Sequence, residues 1–376
     1  MAVTKIGMRN AWFQVHKWIG LILAILIIPI SITGAALVWH DALDEALNPA
    51  RFAPTATAAL PPSAYAAAAL KVLDPGETVS QIRFGDGGKG AVVVSATRPP
   101  QPGAGRPVRE MVWLDPVDAH VIDQAASDAG IIRVMHGLHG SLLIPGAGRQ
   151  IVGWIGVAML ISSLSGLWLW WPTVGRWARG LRWRRHRNFD TNLHHMMGFW
   201  IALPLFVLSL TGAWISFPQF FAAISGGGGQ QQRGPDRMAL MRARPLAQPA
   251  QSPDIALARA QAIEPGALVS LTWPTDLKAE WTVSIKPEKG RPAEIKVDDA
   301  RGTAAAGEQR AAPQSGIART MRKIHDGTDM GLVWQVIIFL GGILPAILAI
   351  TGIIMWARAR SWRGELAARR TLQQQS

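Results

Sequence analysis

Four long runs without charge constrain this chain more than any other feature. Residues 18–39, 150–172, 196–217 and 330–357 contain no Asp, Glu, Lys or Arg. Each is long enough to cross a hydrocarbon core about 30 Å thick at roughly 1.5 Å per helical residue. Backbone groups in lipid find no water, so a single-segment span must satisfy its own hydrogen bonds as a helix. Pro29, Pro204 and Pro345 fall inside the runs. They would break soluble helices but are tolerated among packed spans. The first run is too long and too late for a cleaved leader, and it lacks a small-residue cleavage site. It reads as a retained anchor.

The net charge of +13 invites a nucleic-acid reading, but its distribution argues against one. Residues 173–193 carry Arg176, Arg179, Arg182, Arg184, Arg185 and Arg187 against Asp190 alone. The tail carries Arg358, Arg360, Arg363, Arg369 and Arg370 against Glu365, and the first 17 residues carry Lys5, Arg9 and Lys17 with no acid. With four alternating spans these segments share one side, which the positive-inside rule makes cytoplasmic. The basic charge is thus a topology signal and a contact for anionic lipid heads. The chain has no cysteine, which excludes disulfides, thiolate zinc sites, Cys-bound iron–sulfur clusters and covalently attached heme.

The chain also repeats itself. His16 with Gly20 and Thr33-Gly34 recurs as His194 with Gly198 and Thr211-Gly212, an offset of 178 residues. Arg133, Met135, His139, Gly166 and Trp170 recur as Arg319, Met321, His325, Gly352 and Trp356, an offset of 186. The repeating unit is span, external domain, span. The external segments, 41–148 and 218–329, each pair an Ala-rich helix (63–73 and 254–263) with strand-like runs. The runs are 78–84, 90–96 and 109–114 in the first, and 267–273, 280–285 and 294–298 in the second. The expected fold is four transmembrane helices in two tandem repeats with two small α+β external domains. In order, the parts are residues 1–40 with the first span, 41–148, the span 149–172, a basic loop 173–193, the span 194–217, 218–329, the span 330–357 and a basic tail 358–376. Residues 98–107 read as a Pro/Gly loop and 225–235 as a flexible linker.

Six of the nine histidines cluster near span ends, at two depths. His16, His194 and His195 open the first and third spans, and His136, His139 and His325 precede the second and fourth. The repeat pairs His16 with His194 and His139 with His325. Ionisable residues at membrane depth are costly and point to function. Imidazole ligates heme iron well, and facing helices of a bundle hold cofactors between them. The expectation is one heme at each of two depths, each held by a histidine pair. His136 and His195 remain alternatives to their neighbours, and Gly20, Gly198, Gly137 and Gly140 would let a flat ring approach. The rival readings are interfacial histidines and a zinc or copper site on His136, His139 and His325. His40, His120 and His186 read as solvated or interfacial, and Met135 and Met321 as packing residues.

The remaining motifs are structural. Tryptophans at span edges, such as Trp12, Trp18, Trp168, Trp170 and Trp171, form an aromatic belt. Gly85, Gly87 and Gly90 spell a G-x-G-x-x-G between two strands, the wrong context for a dinucleotide site.

Val15-His16-Lys17-Trp18-Ile19-Gly20 with Thr33-Gly34, and Leu193-His194-His195-Met196-Met197-Gly198 with Thr211-Gly212, resemble the PepSY-associated transmembrane proteins. So do Leu138-His139 with Ser165-Gly166-Leu167-Trp168, and Ile324-His325-Asp326-Gly327 with Thr351-Gly352 and Trp356. The external segments resemble PepSY domains, including Trp113-Leu114-Asp115-Pro116 and Val297-Asp298-Asp299. The resemblance implies a multi-pass protein of the bacterial inner membrane, often iron-regulated, with both termini cytoplasmic. It implies a ferric-siderophore reductase with two b-type hemes, His16, His194, His139 and His325 as ligands, and a cytoplasmic or quinol electron donor. Ser165 departs from the Thr found before Gly in the other three spans. The competing function is a non-redox membrane protein whose PepSY domains bind or inhibit a peptidase or sense the envelope. A transporter fits less well, because no acidic residue lies within the spans.

Overall fold

The computed structural model describes residues 5–98, 108–171, 177–183, 185–224, 243–290, 292–307 and 316–375. The chain begins with α1 (Lys5–Leu37), α2 (His40–Leu47), α3 (Pro49–Phe52) and α4 (Pro62–Leu70). Strands β1 (Thr78–Arg83), β2 (Val92–Thr97), β3 (Arg109–Leu114) and β4 (Val121–Ala126) follow. Next come α5 (Ile131–Ser141), α6 (Gly148–Trp170), α7 (Phe189–Ser216), α8 (Pro218–Ile224) and α9 (Pro253–Gln261). Strands β5 (Ala267–Thr272), β6 (Glu280–Lys286), β7 (Ala293–Asp298) and β8 (Ala304–Ala306) precede α10 (Gly316–Asp326) and α11 (Gly331–Gln375). The expected linker 225–235 and nearly all of the loop 98–107 lie outside the described residues. The chain divides into two compact units.

The first unit holds residues 1–40, 134–229 and 314–376. Its four long helices supply four apolar segments of membrane-crossing length: Ile6–Leu37, Gly148–Trp170, Phe189–Ser216 and Gly331–Trp362. Helices α1, α6, α7 and α11 pack in a closed ring, α1 on α6, α6 on α7, α7 on α11 and α11 on α1. The helices overrun the uncharged runs. α1 starts at Lys5 and α7 at Phe189, so His16 and His194 sit well inside helices rather than at their first turns. α11 continues through the basic segment expected as a tail. Charged residues are good helix formers, so the charge boundary marks the edge of the apolar run rather than the end of the helix.

Lipid tails are as apolar as Leu, so spans associate through close backbone approach at small residues and through polar contacts. Two such approaches are related by the repeat. At Gly156 of α6, an added Cβ would lie 3.3 Å from the Ser209 carbonyl oxygen and 3.7 Å from the Ala213 Cβ of α7. At Gly342 of α11, it would lie 2.7 Å from the Ala35 Cβ and 2.7 Å from the Ser31 carbonyl oxygen of α1. Both offsets, 186 and 178, hold at these contacts.

The second unit holds residues 41–133 and 230–313. Its eight strands form one antiparallel sheet in the order β4-β3-β2-β1-β5-β6-β7-β8. The two expected α+β domains are therefore halves of one unit, joined where β1 pairs with β5, for example Ile82 with Leu271. Apolar faces of both halves and of α4 and α9 form one core, with Tyr65, Ile82, Leu114, Trp281 and Ile285 almost fully buried. The core's polar atoms are satisfied: Tyr65 Oη donates to the Pro116 carbonyl at 2.5 Å, and Trp281 Nε1 donates to Asp299 at 2.9 Å. α4 and α9 are tied by Ser63, whose amide donates to Asp254 at 2.9 Å. The anticipated helices and six strands are present within a few residues. β4 and β8 were missed, because Val-Ile-Asp-Gln-Ala-Ala and Ala-Ala-Ala carry weak strand signals and gain their place from sheet neighbours. Gly85, Gly87 and Gly90 lie in the β1–β2 connection, as their strand context required. The segment after Arg133 and the one after Pro313, assigned from sequence to the external domains, belong to the helical unit.

Gly342→Val should overpack the α11–α1 crossing and cost about 1–3 kcal/mol. A lowered thermal midpoint in detergent would register this, with a smaller effect at Gly156, where neighbours lie farther away. An unchanged midpoint for Gly342→Val would contradict the packing described.

Candidate functional site

The helical unit brings the repeat-matched histidines together in the pairs the sequence suggested. The rings of His16 on α1 and His194 on α7 lie 6.4 Å apart between centroids, nearly perpendicular at 85°. The rings of His139 on α5 and His325 on α10 lie 6.0 Å apart, tilted by 40°. Each pair thus draws one histidine from each repeat.

Each ring is seated on a Ser/Thr-Gly step of a helix other than its own. His139 Nδ1 donates to the Ile30 carbonyl at 2.8 Å, and its ring lies over Gly34, where a Cβ would come within 2.6 Å. His16 Nδ1 meets the Ser162 carbonyl at 3.2 Å and Ser165 Oγ at 3.1 Å, with its ring over Gly166. His325 Nδ1 donates to Thr211 Oγ1 at 3.0 Å, over Gly212. His194 Nδ1 donates to Thr351 Oγ1 at 2.9 Å, over Gly352. For His139 and His16 the accepting carbonyl stands three residues before the Thr or Ser of the step. Each hydroxyl passes its own proton back along its helix, as Thr211 does to Val207 at 2.8 Å and Thr351 to Ile347 at 2.9 Å. It can therefore accept from the imidazole.

This arrangement decides the tautomer. A carbonyl can only accept, and a hydroxyl whose own proton is already given to its helix can only accept as well, so Nδ1 carries the proton and Nε2 keeps its lone pair. Metal-binding histidines are oriented in this way, the far N–H being held by a carbonyl, hydroxyl or carboxylate. The spacing fits as well. A metal–imidazole bond is about 2 Å and the nitrogen lies about 1 Å from the ring centre, so two imidazoles on opposite sides of one ion have centroids about 6 Å apart. The residues present therefore fit a bis-imidazole ion of the heme type at both places.

A cavity extends from the His16–His194 pair between α1, α6, α7 and α11 and contains about 980 Å³ of space, part of it open to the surroundings. Gly20 and Gly198 line it, and a Cβ at Gly20 would meet nothing within 4 Å, which accords with the expected approach of a flat ring. Gly137 does not share that role, since it packs against Leu143.

The other histidines separate. His195 lines the same cavity but stacks on His186, centroids 4.4 Å apart at 28°. His136 sets its ring edge against His40 at 6.2 Å. His186, read as solvated or interfacial, is half-buried, and Asn192 clamps its backbone, accepting from the amide at 2.7 Å and donating to the carbonyl at 2.6 Å. Burial, followed by the nearby Arg185 charge, pushes the His186 pKa down. A zinc or copper site on His136, His139 and His325 finds no support. The only cluster of three ligand atoms among the described residues is the turn of Asp115, Asp118 and His120. There His120 is exposed, as expected, and its Nδ1 lies 2.7 Å from Asp118.

The four Ser/Thr-Gly seats are the residues whose part the sequence reading missed. They served there as repeat markers, while in space each seats a histidine of another helix. One seat per matched histidine, four of each, was the available signal.

Comparison with known families places this architecture. A family profile for the PepSY-associated TM region matches residues 13–359. The chain belongs to this family. The match runs from just before His16 to just beyond Trp356 and so contains all four histidines and their seats. A comparison with curated proteins finds no match.

Burial, with the neighbouring His139 second, lowers the His325 pKa from the ordinary 6.5 to about 4, and burial also lowers that of His139. The unfolded chain protonates such a histidine near 6.5, the folded chain only near 4. Protons therefore favour the unfolded state, and this contribution to stability is lost as pH falls from about 6.5 to about 4. NMR of histidine-labelled protein should show His325 neutral at pH 5.5, and titration of this ring with a midpoint above 6 would contradict the buried seat.

Proposed function

We propose that this PepSY-associated membrane protein is a transmembrane electron carrier binding two b-type hemes. One would be held by His16 and His194, the other by His139 and His325. Its acceptor would be ferric iron chelated by a siderophore in the periplasm, and its electron donor a cytoplasmic or quinol reductant. One observation carries the reading: the ring centroids of both pairs stand 6.4 and 6.0 Å apart, the separation of two imidazoles on one ion, and every Nδ1 is fixed by another helix.

Heme, when bound, supplies reversible one-electron chemistry. The chain's own residues prepare for it. The backbone carbonyls of Ser162 and Ile30 and the hydroxyls of Thr211 and Thr351 hold the imidazoles in the ligating tautomer and make them more basic. The Gly seats bring each ring against its supporting helix, and the spans keep water away. His16 and Ile30, the residue that holds His139, stand 14 positions apart on α1, about 21 Å at 1.5 Å per residue. The two pairs thus lie at different depths of a core about 30 Å thick. In the bacterial inner membrane, with the basic segments cytoplasmic, the His16–His194 pair would lie toward the donor and the His139–His325 pair toward the periplasm. One electron reduces Fe(III) to Fe(II), which hard oxygen chelators hold less tightly.

Purified protein should show a Soret band and split visible bands that sharpen on reduction. His194→Ala should remove one of two hemes, and His325→Ala the other, each leaving the four spans folded. A Fe(II)-trapping dye should report loss of ferric-chelate reduction in both variants. Protein that is folded and grown with ample heme yet has no reducible Soret band would falsify the reading and favour a non-redox role.

A further inference from the structure

The turn that leads from each outer-histidine helix into the following span is built alike in both repeats. Leu143, between α5 and α6, and Asp329, between α10 and α11, both hold a left-handed backbone, with φ of 59° in each. They stand 186 positions apart, the offset that also pairs His139 with His325. Each reaches back six positions, to Gly137 and to Lys323, which match by the same offset. The Leu143 amide donates to the Gly137 carbonyl at 3.1 Å. Its side chain lies on Gly137, where an added Cβ would come within 2.6 Å of Leu143 Cδ2. Asp329 holds Lys323 through an ion pair of 2.7 Å. One contact is apolar and the other ionic, yet both fall two residues before the histidine.

Residues two apart on a helix point about 200° apart, at roughly 100° per residue. Each turn therefore braces its helix on the side away from the imidazole. On the other side His139 has no slack, with its ring over Gly34 and its Nδ1 on the Ile30 carbonyl. The backbone of the first turn is strained by this arrangement. Leu142, the preceding residue, is left-handed too, with φ of 52°. That conformation suits glycine, asparagine or aspartate rather than leucine. Leu143 is 56% exposed, so burial does little to offset the strain. A turn that only ended the helix would be better served by glycine. A leucine kept under strain points to a task for its side chain.

We propose that Leu143 is a positioning residue for His139, its side chain holding α5 in the orientation that keeps the imidazole on Ile30, and that Asp329 does the same for His325 through Lys323. The inference rests on the heme reading above for the use of these imidazoles, but not for their orientation. The two braces differ in strength. The Lys323 and Asp329 side chains are 41% and 71% exposed, and an ion pair so exposed is weak and screened by salt. The Leu143 contact involves no charge.

Leu143→Gly separates this role from helix termination, because it relaxes the backbone while removing the brace. Full-length protein carrying His194→Ala retains only the outer pair, and its Soret band can be titrated with hemin. In that background Leu143→Gly should weaken hemin about tenfold, the lower end of what outer-shell partners of metal ligands contribute. It should do so without lowering the thermal midpoint of the heme-free protein in detergent. Leu143→Met keeps a side chain of similar volume and should retain the parent's affinity. Asp329→Asn tolerates the same backbone and should weaken hemin only about twofold. Nitrogen NMR of histidine-labelled, heme-free protein gives a second reading. His139 should be the Nδ1–H tautomer in the parent and a mixture of tautomers in Leu143→Gly. An unchanged tautomer or an unchanged hemin affinity in Leu143→Gly would overturn the proposal. So would a loss of affinity matched by a lowered midpoint, which would make Leu143 a packing residue. A parent that shows the tautomer effect yet takes up no hemin would remove the heme reading and leave the positioning of His139 standing.

Discussion

Helices in lipid gain nothing from hiding apolar surface against one another, since lipid tails solvate Leu and Ile equally well. What holds the bundle of α1, α6, α7 and α11 is the close approach that Gly156 and Gly342 permit, together with polar contacts between helices. Among those contacts are the four imidazole Nδ1 bonds to neighbouring helices, on which the proposed function rests. A polar contact of this kind contributes only about 0.6 kcal/mol on average in membrane bundles. Its value lies in placement: it fixes four imidazoles at two places, one pair of rings at each.

The duplication makes that arrangement inexpensive in sequence. One unit, a span with an inner histidine and a Ser/Thr-Gly step followed by an outer histidine and a second such span, is used twice. Facing copies supply both sides of each pair. The same exchange governs the sheet-bearing unit, where β1 of one half pairs with β5 of the other and a single core spans both. Neither half is finished alone. The symmetry is broken at the end where Trp170, His186 and His195 gather, since Lys17 occupies the position matching His195 and Met8 the one matching His186. The first pair therefore has a polar flank that the repeat did not dictate.

Much of the fold and of the candidate site is legible in the amino-acid order. Uncharged runs locate four helices because lipid tolerates few charges and no unpaired backbone. The two offsets select His16, His194, His139 and His325 from nine histidines, because residues with matched roles keep matched spacing. Sequence reasoning is weakest where one helix must be placed against another. Gly137 and Gly140 were expected to face a flat ring, yet Gly137 packs on Leu143. The stacking of His186, read as solvated or interfacial, on His195 was not foreseen. β8 had no strand signal of its own, being three alanines.

The sequence by itself determined the four apolar runs, the duplicated plan and the four matched histidines, all of which follow from hydropathy and one-dimensional spacing. Only the tertiary structure decided which helix seats which histidine, which ring nitrogen is held, and that the two α+β halves share one sheet. Those depend on contacts between residues more than 100 positions apart, such as His139 with Ile30 and His325 with Thr211. No local pattern encodes such a contact, because either partner's segment would form the same helix without it.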